Sequence, residues 1–411
     1  MMKRIFSLLI LLFFIVNGFS QTISGSWKGT LAFGQQKLAI VLHIQTDQNG
    51  KTTCLMDSPD QSAKGIPVVL DTLSKDSISL SVPQIGMTYS GRIHQQQIDG
   101  TFSQNGLTVP LVFKPGVIVR NRPQNPTPPY PYKTQDVSFT NRKAPAVLSG
   151  TLTYPIGYRK GKKVPVVLMV SGSGLENRNE EIFDHQPFLV LADYLARNGI
   201  ASLRYDDRSY GKSTGDARSA TTKDFAEDAQ AGIEMLRKMG RFNKVGVLGH
   251  SEGASIAFML GARKRIDFVI SLAGIGVKGD TALTAQVNRI TELEGVPAHE
   301  TVVQYRANAE KQNIPWLNYF INYDPSSDIR NTHCPVMAID GSKDTQVIAS
   351  LNLMAIRGLL PTNKKNLIKE YPGMNHMFQR CKTGLSNEYA NIDETIDPLV
   401  LKDIVTWVRS L

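Results

Sequence analysis

A serine lies between two glycines in the segment VGVLGHSEGASIAFML, residues 245–260. The residues before Ser251 form a short apolar run typical of a buried strand, and those after it have helical spacing. A sharp strand-to-helix turn of the form G-x-S-x-G exposes a serine hydroxyl, and Gly249 and Gly253 permit close backbone approach there. Such a serine could attack a carbonyl carbon, although a structural serine in a glycine-rich turn is the plainer alternative.

A serine hydroxyl is a weak nucleophile without a base, and the later sequence offers both a base and an acid. Asp344 follows the apolar run PVMAIDG and His376 follows NLIKEYPGM, so both are predicted at the carboxyl ends of strands. The order Ser, Asp, His is the one that accompanies this type of turn. Asp340, inside its strand, is expected to be structural, and His250 and His333 are weaker candidates for the base.

The same chemistry needs donors for the negative charge that develops on the substrate oxygen. The backbone N–H of Glu252, directly after the serine, is one candidate. The second is expected in the glycine-rich loop MVSGSGLENRN, where we choose Ser173, with Gly174 next. A glycine-rich loop can instead hold phosphate, but no G-K-[ST] follows this one.

From residue 137 to residue 411, buried apolar runs alternate with helical patterns. This alternation predicts an α/β fold: a mostly parallel sheet with helices on both faces and active groups at the carboxyl ends of its strands. Residues 276–332 have helical patterns and are predicted to form a cap. Three aromatic residues of this cap could line an apolar pocket or pack its core: Trp316, Tyr319 and Phe320.

Residues 21–118 contain six short runs rich in β-branched residues, separated by turn signals. They predict a small antiparallel barrel or sandwich, in which we find no clustered acid–base pair. A packing module and a module that binds carbohydrate or a partner both remain open. Residues 119–136 are predicted to be a semi-rigid linker, because residues 120–134 include five prolines.

The first twenty residues have the pattern of a cleaved secretory signal. The basic start MMKR precedes the apolar run IFSLLILLFFIV, and Gly18 and Ser20 are small residues near the expected cleavage site. The apolar run is too short to span a bilayer comfortably. We expect export to the periplasm or the medium and no transmembrane segment after cleavage, with an uncleaved anchor as the alternative.

Composition narrows the classes of partner. The net charge of +10 would suit nucleic acid, but the basic residues are scattered, so we expect no nucleic-acid partner. Cys54, Cys334 and Cys381 allow at most one disulfide, for which the last two are candidates. The seven histidines show no metal-ligand spacing, so we expect neither a metal nor another cofactor.

Together these motifs resemble the exported bacterial α/β-hydrolase esterases of the dienelactone-hydrolase and prolyl-oligopeptidase-like branch, over roughly residues 137–411. The resemblance implies the same roles for Ser251, Asp344 and His376. Many relatives carry His-Gly where this chain has Ser171-Gly172, and a glycine in place of Ser209. The matching segments are SGSGLENRNEEIF, PFLVLADYLARNGIASLRYDDRSYGKSTG, GHSEG, DGSKDTQV and MNHMFQ.

We therefore expect a serine carboxylesterase that acts on small-molecule esters, of short-chain or acetyl type, through an acyl-enzyme. Acylated carbohydrate is one candidate substrate. A serine peptidase of prolyl-oligopeptidase type is the enzymatic alternative, disfavoured because that family couples its hydrolase to a large propeller. A binding protein with a relic hydrolase domain is the non-enzymatic one.

Overall fold

The computed structural model describes residues 23–33, 36–61, 63–94, 96–297 and 299–411. The chain forms two compact units, one up to Ile118 and one over Val119–Leu411. The predicted signal segment, residues 1–20, lies outside the described residues. None of the helices in the described ranges is both long and apolar enough to cross a membrane.

The first unit is a closed antiparallel barrel, which decides between the two predicted β architectures. Successive strands pair as neighbours, and the first strand pairs with the last through Trp27 and Pro115. Two of the strands, the first and the third, were not among the six predicted runs. The strands are β1 (Gly25–Phe33), β2 (Gln36–Thr46), β3 (Thr52–Ser58), β4 (Ala63–Leu73), β5 (Ser77–Val82), β6 (Met87–His94), β7 (Gln97–Gln104) and β8 (Leu107–Pro115).

The barrel closes around a hydrophobic core made by alternate residues of its strands. Tyr89 is buried there, and its hydroxyl lies 3.1 Å from the carbonyl oxygens of both Ile98 and Leu111. Gly91 and Gly100 face each other across β6 and β7, and a Cβ atom at Gly100 would lie 2.5 Å from the Tyr89 hydroxyl. These glycines make room for the phenol inside the barrel.

Three polar side chains meet on β1, β2 and β3. The hydroxyl of Ser26 lies 2.9 Å from Nδ1 of His43, and Nε2 of His43 lies 2.9 Å from Oδ2 of Asp57. The expectation that this domain holds no acid–base cluster was therefore wrong. The contact depends on strand register, which pairs Ser26 with His43, and register cannot be read from the separate runs.

The second unit is built on an eight-stranded sheet in the order β16-β15-β14-β13-β11-β12-β10-β9. β11 to β16 run parallel, whereas β10 pairs antiparallel with both β9 and β12, so the predicted mostly parallel sheet is confirmed. Its strands are β9 (Thr134–Asn141), β10 (Ala146–Thr153), β11 (Val164–Val170), β12 (Ala201–Tyr205), β13 (Phe242–His250), β14 (Phe268–Leu272), β15 (Val336–Gly341) and β16 (Leu367–Tyr371).

Helices cover both faces of the sheet. Adjacent strand residues point to opposite faces, so Leu168 joins one hydrophobic core with the helices over residues 222–238 and 252–262, and Val167 joins another with those over residues 187–197 and 398–410. The helices are α1 (Pro187–Arg197), α2 (Thr222–Lys238), α3 (Glu252–Ala262), α4 (Gly279–Leu293), α5 (Val302–Lys311), α6 (Pro315–Phe320), α7 (Ser326–Asn331), α8 (Ala349–Leu359) and α9 (Pro398–Ser410). Of these, α4 to α7 lie within the segment predicted as a cap.

The proline-rich segment belongs to the second unit and packs against it. The guanidinium group of Arg122 donates to the carbonyl oxygens of Phe183, Ala390 and Ile392, at 2.8 to 3.0 Å. The predicted linker is thus held by hydrogen bonds for part of its length, and β9 begins within it. The three cysteines are free thiols.

Candidate active site

Ser251 occupies the one-residue turn between β13 and α3. Its φ of 54° and ψ of −117° lie in a region that non-glycine residues rarely adopt. A Cβ atom at Gly249 would lie 1.9 Å from the carbonyl oxygen of Gly253, and one at Gly253 would lie 2.1 Å from that of Val170. Both positions therefore require glycine, and the turn has the geometry expected of a nucleophile elbow.

Asp344 and His376 lie in the loops that follow β15 and β16. Nδ1 of His376 lies 2.6 Å from Oδ2 of Asp344, and both side chains are buried. The other carboxylate oxygen of Asp344 accepts hydrogen bonds from the backbone N–H groups of Gln346 and Val347. This arrangement fixes the ring and leaves its Nε2 as the nitrogen available to take a proton.

The neighbouring Asp340 stands next to Asp344 but not next to His376. Its Oδ1 accepts from the N–H of Gly341, while its Oδ2 meets no donor among the described residues. Burial and the Asp344 carboxylate raise the pKa of Asp340 well above its ordinary value. Burial also acts on Asp344, but His376 and its other hydrogen-bond partners lower the pKa of Asp344. The pair therefore holds one proton, on Asp340, and one negative charge, on the residue that contacts His376.

The hydroxyl of Ser251 makes no hydrogen bond to another described residue, so the structure joins Asp344 to His376 but leaves the serine unbonded. His250, the residue before Ser251, connects this turn to the loop of His376. Nε2 of His250 lies 3.0 Å from the carbonyl oxygen of His376, and the two imidazole rings are 4.6 Å apart between centroids. Contacts between nucleophile and base are often long without substrate and tighten when it binds.

The loop after β11 runs beside Ser251, because a Cβ atom at Gly172 would lie 3.4 Å from the Cβ of the serine. The N–H of Gly172 is already used, since it donates to Oε1 of Glu180 at 2.9 Å. The N–H groups of Ser173 and Glu252 donate to no acceptor in the described part of the chain. These two predicted donors are therefore free, and Gly174, with φ of 124°, lets the loop turn away after them.

An apolar cavity of about 310 Å³ borders this loop. One wall is Trp316, whose Nε1–H donates to Oε1 of Glu252 at 2.8 Å. The anchoring residue directly follows Ser251, so the cap is tied to the turn that carries the serine. The lining residues are Ser173, Gly174, Leu175, Ala217, Ala220, Phe225 and Trp316.

The other two aromatic residues predicted for the pocket do not line this cavity. Phe320 is buried in the main hydrophobic core and stacks on Trp316, with ring centroids 5.3 Å apart. Tyr319 packs against the same core and stacks on Tyr323 at 6.2 Å. Of the three aromatic side chains, therefore, Trp316 is the one that lines this cavity, although helical spacing places all three on one side of α6.

The two departures from the relatives have local explanations. Ser171, where many relatives have histidine, donates its hydroxyl to the carboxylate of Asp207 at 3.2 Å. Ser209, where they have glycine, adopts a left-handed φ of 67°. Its hydroxyl donates to the carbonyl of Gly215 and accepts from the N–H of Ala217, which supports the unusual conformation.

Sequence reasoning missed the pair formed by Glu180 and His250. Oε1 of Glu180 lies 2.9 Å from Nδ1 of His250, and both residues are buried. The acid lies in a loop without periodic pattern and has a left-handed φ of 52°, so nothing in the sequence marks it. The position of His250 beside Ser251 was the one available signal.

Comparisons with known proteins cover much of the second unit. Residues 185–305 match the model of the serine aminopeptidase S33 family of hydrolases, a segment that includes Ser251 but ends before Asp344 and His376. Esterase EstD of Thermotoga maritima is 24% identical over 322 residues, which are 75% of this chain and 75% of that protein.

Two solved structures are similar in shape. Est1E of Butyrivibrio proteoclasticus, solved with ferulic acid, is 16% identical with a TM-score of 0.46, covering 67% of this chain and 98% of that one. Esterase Pf2001 of Pyrococcus furiosus is 16% identical with a TM-score of 0.47, covering 72% and 98%. The sheet order and the elbow give the second unit the α/β-hydrolase fold, and its sequence is similar to a hydrolase family model and to an esterase.

Proposed function

We propose that the chain hydrolyses carboxylic esters through Ser251, His376 and Asp344. His376 takes the proton of the Ser251 hydroxyl as its oxygen attacks the ester carbonyl carbon. The negative charge that develops on the carbonyl oxygen is met by the N–H groups of Ser173 and Glu252. The observation that carries the proposal is the 2.6 Å contact between His376 and Asp344, beside a strained serine turn.

The remaining steps return the enzyme to its starting state. His376 gives its proton to the alkoxide oxygen as the C–O bond breaks, so the alcohol leaves and the acyl group stays on Ser251. Water then attacks the acyl carbon, passes a proton to His376, and releases the acid when that proton returns to the serine oxygen. Asp344 stays ionised throughout and stabilises the charged ring.

The cavity favours short apolar acyl groups. Its volume of about 310 Å³ is at the small end of ligand pockets, which span about 300–1,000 Å³. Trp316 and Phe225 close it on the cap side and the α2 side. We propose acetyl and other short-chain esters as substrates, with acylated carbohydrate among them.

An aminopeptidase is the second candidate, because the matching family model carries that description. Such an enzyme must hold the positive amino terminus of a peptide, for which a carboxylate is the natural partner. The cavity lining contains no acidic side chain. Glu176, in the same loop, has its pKa raised to about 8 by burial and by Glu180, so it is mostly uncharged at neutral pH. Both facts favour the ester.

We further propose that the protein acts after export to the periplasm or the medium. The basic start and the apolar run of residues 1–20 support this location. Fractionation of cells that express the full chain, followed by sequencing of the amino terminus, tests it. A mature protein that starts near residue 21 is expected.

The activity is tested with chromogenic esters of graded acyl length and with amino-acid and proline anilides. The wild type should hydrolyse acetate and butyrate esters, and Ser251→Ala should lower kcat by more than about 10⁴-fold. Ser26→Ala, which removes the serine of the barrel cluster, is the matched control and should retain full activity. Equal rates for wild type and Ser251→Ala would remove this serine from the mechanism, and faster anilide cleavage would favour the peptidase.

A further inference from the structure

His250 contacts two separate parts of the site at once. Its Nδ1 lies 2.9 Å from Oε1 of Glu180, and the same carboxylate oxygen accepts the N–H of Gly172 from the loop beside Ser251. Its Nε2 lies 3.0 Å from the backbone carbonyl of His376. One ring therefore joins the loop that carries the Ser173 donor to the loop that carries the base.

The hydrogen bonds define the charge of this ring. A backbone carbonyl only accepts, so Nε2 of His250 carries a proton; with an ionised Glu180 carboxylate, which also only accepts, Nδ1 carries a second one. Burial alone would lower the pKa of His250, but the Glu180 carboxylate and the carbonyl of His376 raise it to about 9. Geometry and electrostatics both indicate an imidazolium ring at neutral pH.

The surroundings of the ring contain few other ionisable groups. Glu180 and Glu176 face it from the loop after β11, and His376 and Asp344 face it from the loops after β16 and β15. The other side chains that line the cavity beside the pair are apolar, among them Phe188, Leu191, Leu272 and Met377. A charge in such surroundings is poorly screened, so its loss is expected to alter the geometry of the loops that it holds.

We propose that His250 is a positioning residue. As a doubly protonated ring paired with Glu180, it holds the loop after β11, which carries Ser173, and the loop that carries His376 in place around Ser251. This inference rests on the proposed ester hydrolysis only for its kinetic consequences. Raising the pH through about 9 removes the proton that makes Nδ1 a donor, so the contact between His250 and Glu180 weakens and kcat falls. The charge is present below that pH, which gives the expected direction of the alkaline limb.

The protonation of the ring can be measured without any substrate. Nitrogen-15 NMR of the histidine-labelled full chain, with the His250→Gln variant used to identify the signal, reports both ring nitrogens. At pH 7.5 both should carry protons, and the ring should become neutral near pH 9. A neutral ring at pH 7.5 would overturn the proposal, whether or not the protein hydrolyses esters.

The kinetic test uses His250→Gln, which can keep one donor but not both. We expect kcat to fall by about 10- to 100-fold with little change in KM, because misplaced catalytic groups slow the chemical step more than binding. Rates are divided by the fraction of sites that react with a phosphonate titrant. His185→Gln, which removes another buried histidine from its hydrogen bonds to Thr395 and Gln379, is the control for general destabilisation and should keep kcat within about twofold.

Two further variants test whether the alkaline limb arises from the pair of His250 and Glu180. Glu180→Gln keeps the shape of the partner but removes its charge, so the alkaline limb should move down by about one pH unit or more. Glu176→Gln removes the other nearby carboxyl group that titrates in this range and should leave the limb in place. An unchanged limb in Glu180→Gln, or an unchanged kcat in His250→Gln, would contradict the proposal. If the wild type hydrolyses no ester, the proposed function fails, and the NMR titration alone decides whether His250 is charged.

Discussion

The barrel and the hydrolase unit each bring a serine, a histidine and an aspartate into one cluster. In the barrel, Ser26, His43 and Asp57 are joined by two contacts of 2.9 Å. In the hydrolase unit, Asp344 and His376 are joined at 2.6 Å, and the hydroxyl of the third member, Ser251, is unbonded. By hydrogen bonds alone, the barrel cluster is the more complete of the two.

The difference lies in the surroundings. Ser26 is half-buried and sits in a regular strand, whereas Ser251 is held at a φ of 54° with free N–H groups beside it. The side chains of His43 and Asp57 are 30% and 21% exposed, so water screens their interaction, while His376 and Asp344 are buried. A strained turn, free donors, burial and a cavity distinguish a candidate catalytic site from a polar surface cluster of the same residue types.

Removing the two histidines gives the largest expected contrast. His376→Ala should lower kcat/KM for a short-chain ester by about 10⁵-fold or more, because the proton of Ser251 then has no acceptor. His43→Ala should change it by less than about twofold, because Ser26 sits in a regular strand and water screens the partly exposed pair of His43 and Asp57. Comparable losses in both variants, at equal folded fractions by circular dichroism, would give the barrel cluster a catalytic role.

The two aspartates should differ almost as much. Asp344→Asn is expected to lower kcat by about 10⁴-fold, because an amide cannot stabilise the charged ring of His376 and can favour the wrong tautomer. Asp57→Asn should leave kcat unchanged and cost only a little stability, through its bond to the N–H of Gly65. Steady-state kinetics and urea unfolding of both variants measure the contrast, which a drop of less than tenfold in Asp344→Asn would refute.

A smaller effect is expected from the cavity that borders the loop after β11. Trp316→Ala removes one wall and the hydrogen bond to Glu252, so longer acyl chains should gain relative to acetate by about tenfold. Trp407→Ala removes a tryptophan of α9 that packs on Phe268 in the other hydrophobic core, away from the cavity, and should not alter the chain-length preference. The ratio of kcat/KM for hexanoate and acetate esters is the measurement, and an unchanged ratio would show that this wall does not limit the acyl group.

The smallest kinetic effect is expected at the second aspartate of the site. Asp340→Asn should change kcat by less than about threefold, because an amide can donate to Asp344 and accept from Gly341 as the protonated acid does. Stability should respond to pH instead. The pKa of Asp340 is raised in the folded state, so wild-type stability falls as pH rises above the unfolded value of about 3.9, and the variant lacks this loss.

Urea unfolding at pH 5 and pH 8 measures the stability effect of Asp340→Asn. The variant should gain on the wild type as the pH rises between these values. A constant difference, or a 10³-fold loss of kcat, would mean that the proton is not on Asp340.

The sequence alone predicted most of the site residues that lie at the carboxyl ends of strands. The spacing around Ser251 and the apolar runs before Asp344 and His376 are local signals, because a parallel sheet gathers the carboxyl ends of its strands at one edge. The sheet, the elbow and the helical cap followed from these patterns. The pocket did not, because periodicity could not show that Phe320 is part of the core.

Other contacts depend on distances that no local pattern encodes. His43 and Asp57 meet because the register of two strands places them together, and Glu180 reaches His250 from a loop seventy residues earlier. His43, Asp57 and Glu180 have no local signal in the sequence, and His250 has only its position beside Ser251. Pairwise contacts of this kind need the folded chain, whereas strand ends and tight turns are visible in the sequence.

The hydrogen bonds of residues 119–133 affect how the catalytic part could be produced by itself. Arg122 and Gln124 satisfy backbone groups between Ala390 and Ile396, a stretch that follows the His376 loop. A fragment that begins at residue 137, made by proteolysis or by expression, would lack the side chains of Arg122 and Gln124 and leave their backbone carbonyl partners unpaired. An autonomous fragment should therefore begin at Val119, and a shorter one is expected to melt at a lower temperature.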